Sequence, residues 1–338
     1  MRADPRRLSE LEPLESADIF AQLSQRESGT TRDGKPYFRT VFRDRHRSAS
    51  CMIWLDGGWF EDCEQHWRVG DHFKLRVRYF QNQYGPGIEI ERWRPVEPTD
   101  REAGFDPADF EPTTRFDVDD LFAELRGHAE REIDEPGLRE LTLGLLDEHV
   151  ETLKQLPAAS RNHHAWRGGF LEHVVSVTRT ATYFADKYRA LYPKLDPPLS
   201  RSLVIAGAIL HDIGKLLELT PGQIPSEYTA AGRLVGHILL GRDMIRDRAA
   251  RIAGFDREIL LRLEHILVSH QGQPIWGSPV PPSTPEALLV HYADDVDAKF
   301  QMVVSALEVP PGNPGEEFTG VDNPLKRRLF RGLADSEG

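Results

Sequence analysis

Eight of the chain's 13 histidines fall between His163 and His291, most of them beside apolar residues. His173 lies in "GGFLEHVVSV", His211 with Asp212 in "AILHDIGK", and His237 in "GRLVGHILLG". His265 and His270 lie in "LEHILVSHQG" and Asp294 in "VHYADDVDAK". Imidazole and carboxylate together suit divalent transition metals such as Mn, Fe, Co, Ni or Zn, and helices facing one another across a bundle can bring such groups to one point. The competing reading is a set of separately buried polar groups, each costing about 1–3 kcal/mol if left unpaired. A single histidine in such surroundings is more often a satisfied core or surface residue. The set as a whole points to a metal centre.

Helices must carry these groups. Apolar residues recur at helical spacing over 117–131, 136–156, 168–192, 200–219, 229–253, 256–270 and 284–308, and each candidate ligand falls on its own helix, His265 and His270 excepted. The greasy run "LVIAGAIL" ahead of His211 marks a central helix of the bundle. His265, five residues before His270, points about 140° away from it on an ideal helix and stays open between ligand and orienting group. His291 and Asp297 lie three residues either side of Asp294, on one helix face, and are expected behind the ligands, orienting them; Asp295 is expected to face solvent. His163 and His164 precede Gly168 and Gly169 in a loop ahead of the His173 helix, where they touch substrate or cap structure.

The N-terminal part differs in kind. "PYFRTVFRD", "SASCMIWLD", "DHFKLRVRYF" and "GIEIERW" alternate or mix β-branched and aromatic residues, and "RDGK", "DGG", "VGD" and "YGPG" separate them as turns. Short strands in about 80 residues suit a small antiparallel barrel. Pro95, Pro98, Pro107 and Pro112, set among acids, read as a solvated linker without helix or strand. The expected fold is therefore a small all-β barrel followed by an all-α bundle. Its divisions are a tail over 1–15, the barrel over 16–95, the acidic linker over 96–116, the helical domain over 117–308 and an extension over 309–338, in which "LKRRLFRG" is a basic element against substrate or domain.

The formal net charge of −12 argues by itself against nucleic-acid binding. From Glu97 to Glu135, however, 14 acids face four arginines, so this segment carries −10 and the remainder is nearly balanced. Between Arg26 and Arg47 seven basic residues face three acids, a local +4. The only cysteines, Cys51 and Cys63, form neither a zinc nor a redox motif and are expected to be reduced. No apolar run of about 18 residues occurs and "MRADPRRLSELEPLE" lacks a signal-peptide core, so the expected location is cytoplasmic, away from membranes.

The spaced set His173, His211–Asp212 and Asp294 is the "H…HD…D" signature of the HD superfamily of metal-dependent phosphohydrolases, an all-helical fold. "TRDGKPYFRTVFRDRHRSASCMIWL" resembles the first hairpin of the nucleic-acid-binding OB-fold. "NHHAWRGGFLEHVVSV", "LHDIGK", "YTAAGRLVGHILLG", "ILVSHQGQPIWGSPVPPSTPEALLVHYADDVDAK" and "FTG…LKRRLFRG" resemble the YhaM-type 3′→5′ exoribonucleases, in which an OB-type domain precedes the HD domain. The resemblance covers most of the chain. It implies that His173, His211, Asp212 and Asp294 hold a first ion, and that His237 and His270 hold a second with Asp212 shared. That family shows a His-His pair followed by Gly where this chain has His270 and Gln271, so one ligand of the second site is missing or replaced and single-metal chemistry stays open. Asp212 and Lys215 would be catalytic, Lys215 contacting a phosphate oxygen or the leaving group. By position alone, Lys215 reads as a lysine satisfying the last carbonyls of a helix.

What the resemblance implies is hydrolysis of single-stranded RNA, with single-stranded DNA left open, to 5′-mononucleotides by metal-activated water. One or two divalent ions would serve, Mn²⁺ first, with Co²⁺, Fe²⁺ or Ni²⁺ as alternatives, in a homo-oligomer. Tyr37, Arg39 and Val41 alternate with Phe38, Thr40 and Phe42, so about half the barrel aromatics fill its core. Tyr37, Arg39, Arg43 and Trp54 are the expected RNA contacts, through stacking and charge. Two other readings compete. One is a phosphohydrolase of free or cyclic nucleotides regulated by the barrel, and the other a nonenzymatic nucleic-acid-binding protein.

Overall fold

The computed structural model describes residues 5–31, 33–45, 47–82, 85–110, 113–158, 166–220, 226–308, 315–321 and 323–333. By its contacts the chain divides into two units: Met1–Pro112 with Leu307–Thr319 and Arg328–Gly338, and Thr113–Ala306 with Gly320–Arg327.

In the first unit, β1 (Ser16–Thr30), β2 (Pro36–Arg43), β3 (Ser48–Trp54), β4 (His72–Asn82) and β5 (Gly85–Pro95) close into a barrel in the order β1-β2-β3-β5-β4, with α1 (Phe60–Gln65) between β3 and β4. This is the arrangement of an OB-like barrel. An irregularity between Leu23 and Gln25 re-aims the long β1, which pairs with β4 through its first half and with β2 through its second. The alternation expected for β2 is observed: Phe38, Thr40 and Phe42 are buried, while Tyr37, Arg39, Val41 and Arg43 lie on the outer face. Buried Phe42, Trp67 and Phe73 meet one another, and Trp67 and Phe73 also meet Trp93, at centroid separations of 5.3–5.9 Å, which makes the barrel core largely aromatic.

The acidic, proline-rich stretch departs from the expected free spacer. Pro98–Ala103 and Pro107–Phe110 form 3₁₀ turns. Asp100 is buried and accepts from Arg94 Nη1 and Nη2, both at 2.6 Å, with Lys74 Nζ at 3.4 Å. Phe105 packs on Phe20 and His72, and Phe110 on His72. Composition marked the stretch as solvated, but its aromatics find apolar partners and its acid finds two strand cations. The basic run is likewise partly structural. Arg26 donates to the carbonyls of Trp67 and Glu64 at 2.9 and 3.2 Å, and Arg47 donates to those of Leu8 and Leu11 at 3.1 and 2.6 Å.

The second unit is helical: α2 (Val118–Glu132), α3 (Pro136–Glu148), α4 (Val150–Leu153), α5 (Gly169–Leu191), α6 (Arg201–Leu210), α7 (Lys215–Glu218), α8 (Ala230–Leu234), α9 (His237–Ala249), α10 (Arg257–Ser269) and α11 (Pro285–Glu308). Asp117, Ser200, Thr229 and Asp256 cap α2, α6, α8 and α10 by accepting from first-turn amides, as their types allow. Every residue of α6 from Ser202 to Leu210 is buried, and the helix packs against α2, α3, α5 and α10.

Three helices expected to be continuous are broken: 136–156 parts at His149 into α3 and α4, and the other two breaks serve the site. The 200–219 segment leaves its helix after Leu210 and passes His211–Gly214 through a turn before α7. The 229–253 segment stops at Val235. Gly236 takes φ 80°, ψ 154°, open to glycine alone, so that His237 opens α9. Beyond α11, Thr319 N donates to Leu329 O at 2.8 Å and Arg331 N to Glu317 O at 2.7 Å, so the basic C-terminal stretch doubles back on itself. Among the described residues no helix is long and apolar enough to cross a membrane.

Candidate functional site

Two groups of potential ligands stand side by side in the helical unit: His173, His211 and Asp294, and Asp212, His237 and His270. His173 comes from α5, His211 and Asp212 from the turn after α6, His237 from the start of α9, His270 from the end of α10 and Asp294 from α11. In the first group His173 Nε2 lies 3.2 Å from Asp294 Oδ1, and His211 Nε2 lies 3.9 Å from the same oxygen. Asp212 joins both groups. Its Oδ2 is 3.4 Å from His211 Nε2 and 3.7 Å from His173 Nε2, while its Oδ1 is 3.3 Å from His237 Nε2 and 3.7 Å from His270 Nε2. Two donors on one ion at about 2.1 Å stand roughly 3–3.5 Å apart, so these separations fit shared coordination. A carboxylate with one oxygen toward each group is the bridge a two-ion site needs.

The opposite ring nitrogens fix the geometry. Nδ1 donates to Asp297 Oδ2 from His173 (2.7 Å), to Ala208 O from His211 (2.8 Å), to Glu218 Oε1 from His237 (3.0 Å) and to Leu267 O from His270 (2.7 Å). Each ring therefore turns its Nε2 inward. His211 Nε2 is buried with no hydrogen-bond partner among the described residues, an orphan that a metal ion would satisfy. A divalent transition metal fits this donor set of imidazoles and carboxylates.

Charge is arranged to match. Burial works to raise the Asp212 carboxyl, but Lys215 and His211 beside it hold it well below the ordinary range, and Lys215 Nζ donates to its Oδ2 at 2.6 Å. Burial also opposes ionisation of Asp294, and His173 together with His211 overcomes it and holds the carboxyl low. In His173, burial would lower the ring, but Asp294 and Asp297 outweigh it and raise it to about 10. Burial and the neighbouring His211 push His270 down to about 4, which leaves a neutral imidazole at pH 7.

The remaining sequence candidates are distributed as follows. Asp297 also accepts from Ser176 Oγ. His291 donates from Nδ1 to His270 O at 2.7 Å and lines the cleft over the ligands with Asp212, Lys215, His270, Gln271, Trp276, Asp294, Asp295 and Ala298; its volume is about 220 Å³. Asp295, expected to face solvent, is on this cleft. Gln271 donates from Nε2 to His237 Nε2 at 3.4 Å, so its amide stands beside the second group. His265 belongs to neither group, and its Nε2 accepts from the Ser283 amide at 2.8 Å. His163 and His164 lie outside the described residues.

Sequence reasoning passed over Glu218, whose Oε1 accepts from both the backbone N and the Nδ1 of His237. The available signal was an acid one helical turn beyond Lys215 in an otherwise apolar stretch. It also passed over Gly214, where a Cβ would lie 2.0 Å from His237 O, so that only glycine lets the His211–Gly214 turn rest on α9.

On the barrel, Gly29, Tyr37 and Trp54 are paired across β1, β2 and β3, and so are Glu27, Arg39 and Met52. Tyr37 lies over Gly29 and meets Trp54, 46% exposed, at a centroid separation of 5.4 Å. Arg39 is exposed. Arg43 donates from Nε and Nη2 to Gln22 Oε1 at 2.9 and 2.7 Å.

Residues 170–299 match the HD domain family. Over nearly its whole length the chain resembles 3′-5′ exoribonucleases YhaM. It is 31% identical to that of Bacillus licheniformis over 91% of this chain and 93% of that one, and 31% identical to that of Listeria innocua over 94% and 96%. The Bacillus pumilus protein is 32% identical over 91% and 93%. A solved structure, the second OB-fold domain of replication protein A from Methanococcus maripaludis, aligns with 28% of this chain and 95% of that one at 19% identity and a TM-score of 0.22. The two ligand groups joined by Asp212 lie within the HD match, and the relatives extend over the barrel as well: the chain belongs to the YhaM family of 3′-5′ exoribonucleases.

Proposed function

We propose that this protein is a metal-dependent 3′→5′ exoribonuclease that degrades single-stranded RNA to 5′-mononucleotides. The observation that carries the reading is Asp212, one oxygen toward each histidine group, in a chain that matches YhaM relatives over more than nine-tenths of its length. His173, His211, Asp294 and Asp212 would hold one divalent ion, and Asp212, His237 and His270 a second, with the Gln271 amide N–H beside His237 where the family has a further histidine. Bound there, a divalent metal would lower the pKa of water toward neutrality and offset charge on the phosphoryl oxygens. Mn²⁺ is the ion proposed, with Co²⁺, Fe²⁺ and Ni²⁺ as substitutes.

The chain's own residues do the positioning. Lys215 holds Asp212 through Oδ2 and adds positive charge to a cleft that must accept a phosphodiester. Asp297 and Glu218 fix the rings of His173 and His237. Tyr37 and Trp54 offer stacking faces for bases, and Arg39 and Arg43 draw the phosphates, so the barrel grips a strand without reading its sequence. We place the enzyme in the cytoplasm as a homo-oligomer, with single-stranded DNA as a secondary substrate.

The test is digestion of 5′-end-labelled single-stranded RNA with Mn²⁺, followed by product length and by chromatography of released nucleotides. Stepwise shortening from the 3′ end with 5′-mononucleotide release is expected, and its loss in a His211→Ala, Asp212→Ala variant. Equal activity in that variant refutes the metal assignment. Turnover of cyclic dinucleotides but not RNA favours the regulated phosphohydrolase instead.

A further inference from the structure

We infer that Trp276 is the stacking platform for the base of the 3′-terminal nucleotide, seating it over the metal ligands whatever its identity. The inference rests on the exoribonuclease reading and adds to it the element that receives the substrate end. Trp276 lines the same cleft as Asp212, His270 and Asp294, yet it is 50% exposed. An indole offered to solvent at the rim of a reaction cleft is available to a ligand in a way that a core aromatic is not.

Its position is fixed rather than loose. Pro274–Trp276 forms a 3₁₀ turn in which Trp276 N donates to Gln273 O at 2.9 Å and Gly277 N to Pro274 O at 3.1 Å. Gly277, at φ 108°, comes so close to Gln271 that a Cβ there would lie 2.7 Å from its Oε1. Gln271 in turn stands 3.4 Å from His237 Nε2. The turn that carries the indole thus runs close to a side chain that borders the second group. Lys299 Nζ lies over one face of the indole, 5.4 Å from its centroid, and is held by Asp295 at 2.8 Å, so a base would stack on the opposite face.

Stacking suits the task, since every base has a π-face and an enzyme that removes nucleotides in succession must accept all four.

The experiment compares two single-stranded RNAs that differ only in a 3′-terminal nucleotide with or without its base, measuring first-nucleotide release with Mn²⁺ under single-turnover conditions. For the wild type, removal of the base is expected to lower kcat/KM roughly 5- to 150-fold, the range of one base–aromatic stack. Trp276→Ala should lose that factor on the base-bearing RNA and treat the two alike; Trp276→Phe should restore part of the ratio, and Trp276→Leu, which keeps apolar bulk on the turn, should not. Mn²⁺ affinity of each variant, by calorimetry, should stay at the wild-type value. Nucleotide release with the wild-type ratio intact in Trp276→Ala and Trp276→Leu overturns the platform alone. No release by the wild type from either RNA overturns the exoribonuclease reading, and this inference with it.

Discussion

Gly214→Ala should damage both stability and catalysis, although the position touches neither metal nor substrate. Gly214 has helical φ and ψ of −66° and −13°, so alanine meets no backbone strain and the whole effect must come from space. An added Cβ would stand 2.0 Å from His237 O and 2.4 Å from Gly241 N, backbone atoms that no rotamer change can move. Ordinary contact begins at 3.4 Å, so the turn and α9 must separate by about 1.4 Å, the difference between 3.4 and 2.0. Overpacking of this kind costs about 1–3 kcal/mol. The same shift pulls Asp212, two residues before the glycine, away from His237, whose Nε2 is now 3.3 Å from Oδ1. Misplacement on the order of 1 Å at a reacting centre costs roughly 100-fold in rate. Urea denaturation, Mn²⁺ calorimetry and RNA digestion would read the three consequences, with Gly58→Ala, which meets nothing within 4 Å, as control. A Gly214→Ala protein with the wild-type midpoint, ion stoichiometry and rate would refute the claim that this backbone contact sets the spacing of the two ligand groups.

Glu218→Ala and Asp297→Ala each remove the partner of a ligand histidine's Nδ1 and should weaken Mn²⁺ binding about 10- to 100-fold by calorimetry. In the barrel, the Arg94 guanidinium holds the Asp100 carboxyl well below the usual carboxylate range against the opposing effect of its burial. A lowered folded-state value means stability that is present above the unfolded carboxylate pKa of about 3.9 and lost as pH falls through it toward the folded value. Asp100→Asn should therefore unfold at lower urea than the wild type at pH 7, and the gap should close below about pH 4; a gap independent of pH would refute the ion-pair account. Tyr37→Ala with Trp54→Ala should weaken binding of a long single strand by about 1–3 kcal/mol per lost stack, measured by fluorescence anisotropy, and leave turnover of a dinucleotide unchanged.

Wherever local pattern decides the outcome, the sequence was legible. β2 alternates because the strand period is two, and Phe38 and Phe42 go inward while Tyr37 and Arg39 go outward, as the order of residues requires. Apolar periodicity located α2, α5, α10 and α11 to within about two residues, since each buries one face of a long amphipathic segment. The residue types of the six-residue cluster were visible too, because imidazoles and carboxylates gathered in apolar segments have few other uses, although His211 and Asp212 stand in a turn and not on the expected helix. The break after Leu210 was not visible, since nothing between His211 and Leu219 forbids a helix; the turn exists because Gly214 packs on the backbone of α9. Charge and proline content misread the stretch after β5, whose Asp100 and Phe105 are settled by partners on β4, β5 and β1.

The sequence by itself determined a β-barrel ahead of a helical bundle and the chemistry of the metal ligands. Tertiary structure alone decided which oxygen of Asp212 faces which histidines, that Glu218 rather than His265 serves a ligand ring, and that Trp276 stands at the cleft. Those outcomes depend on pairs as far apart in the chain as Asp212 and His270 or Asp212 and Trp276, and no local propensity carries information across that distance. Only packing of the helices brings such groups within hydrogen-bonding reach.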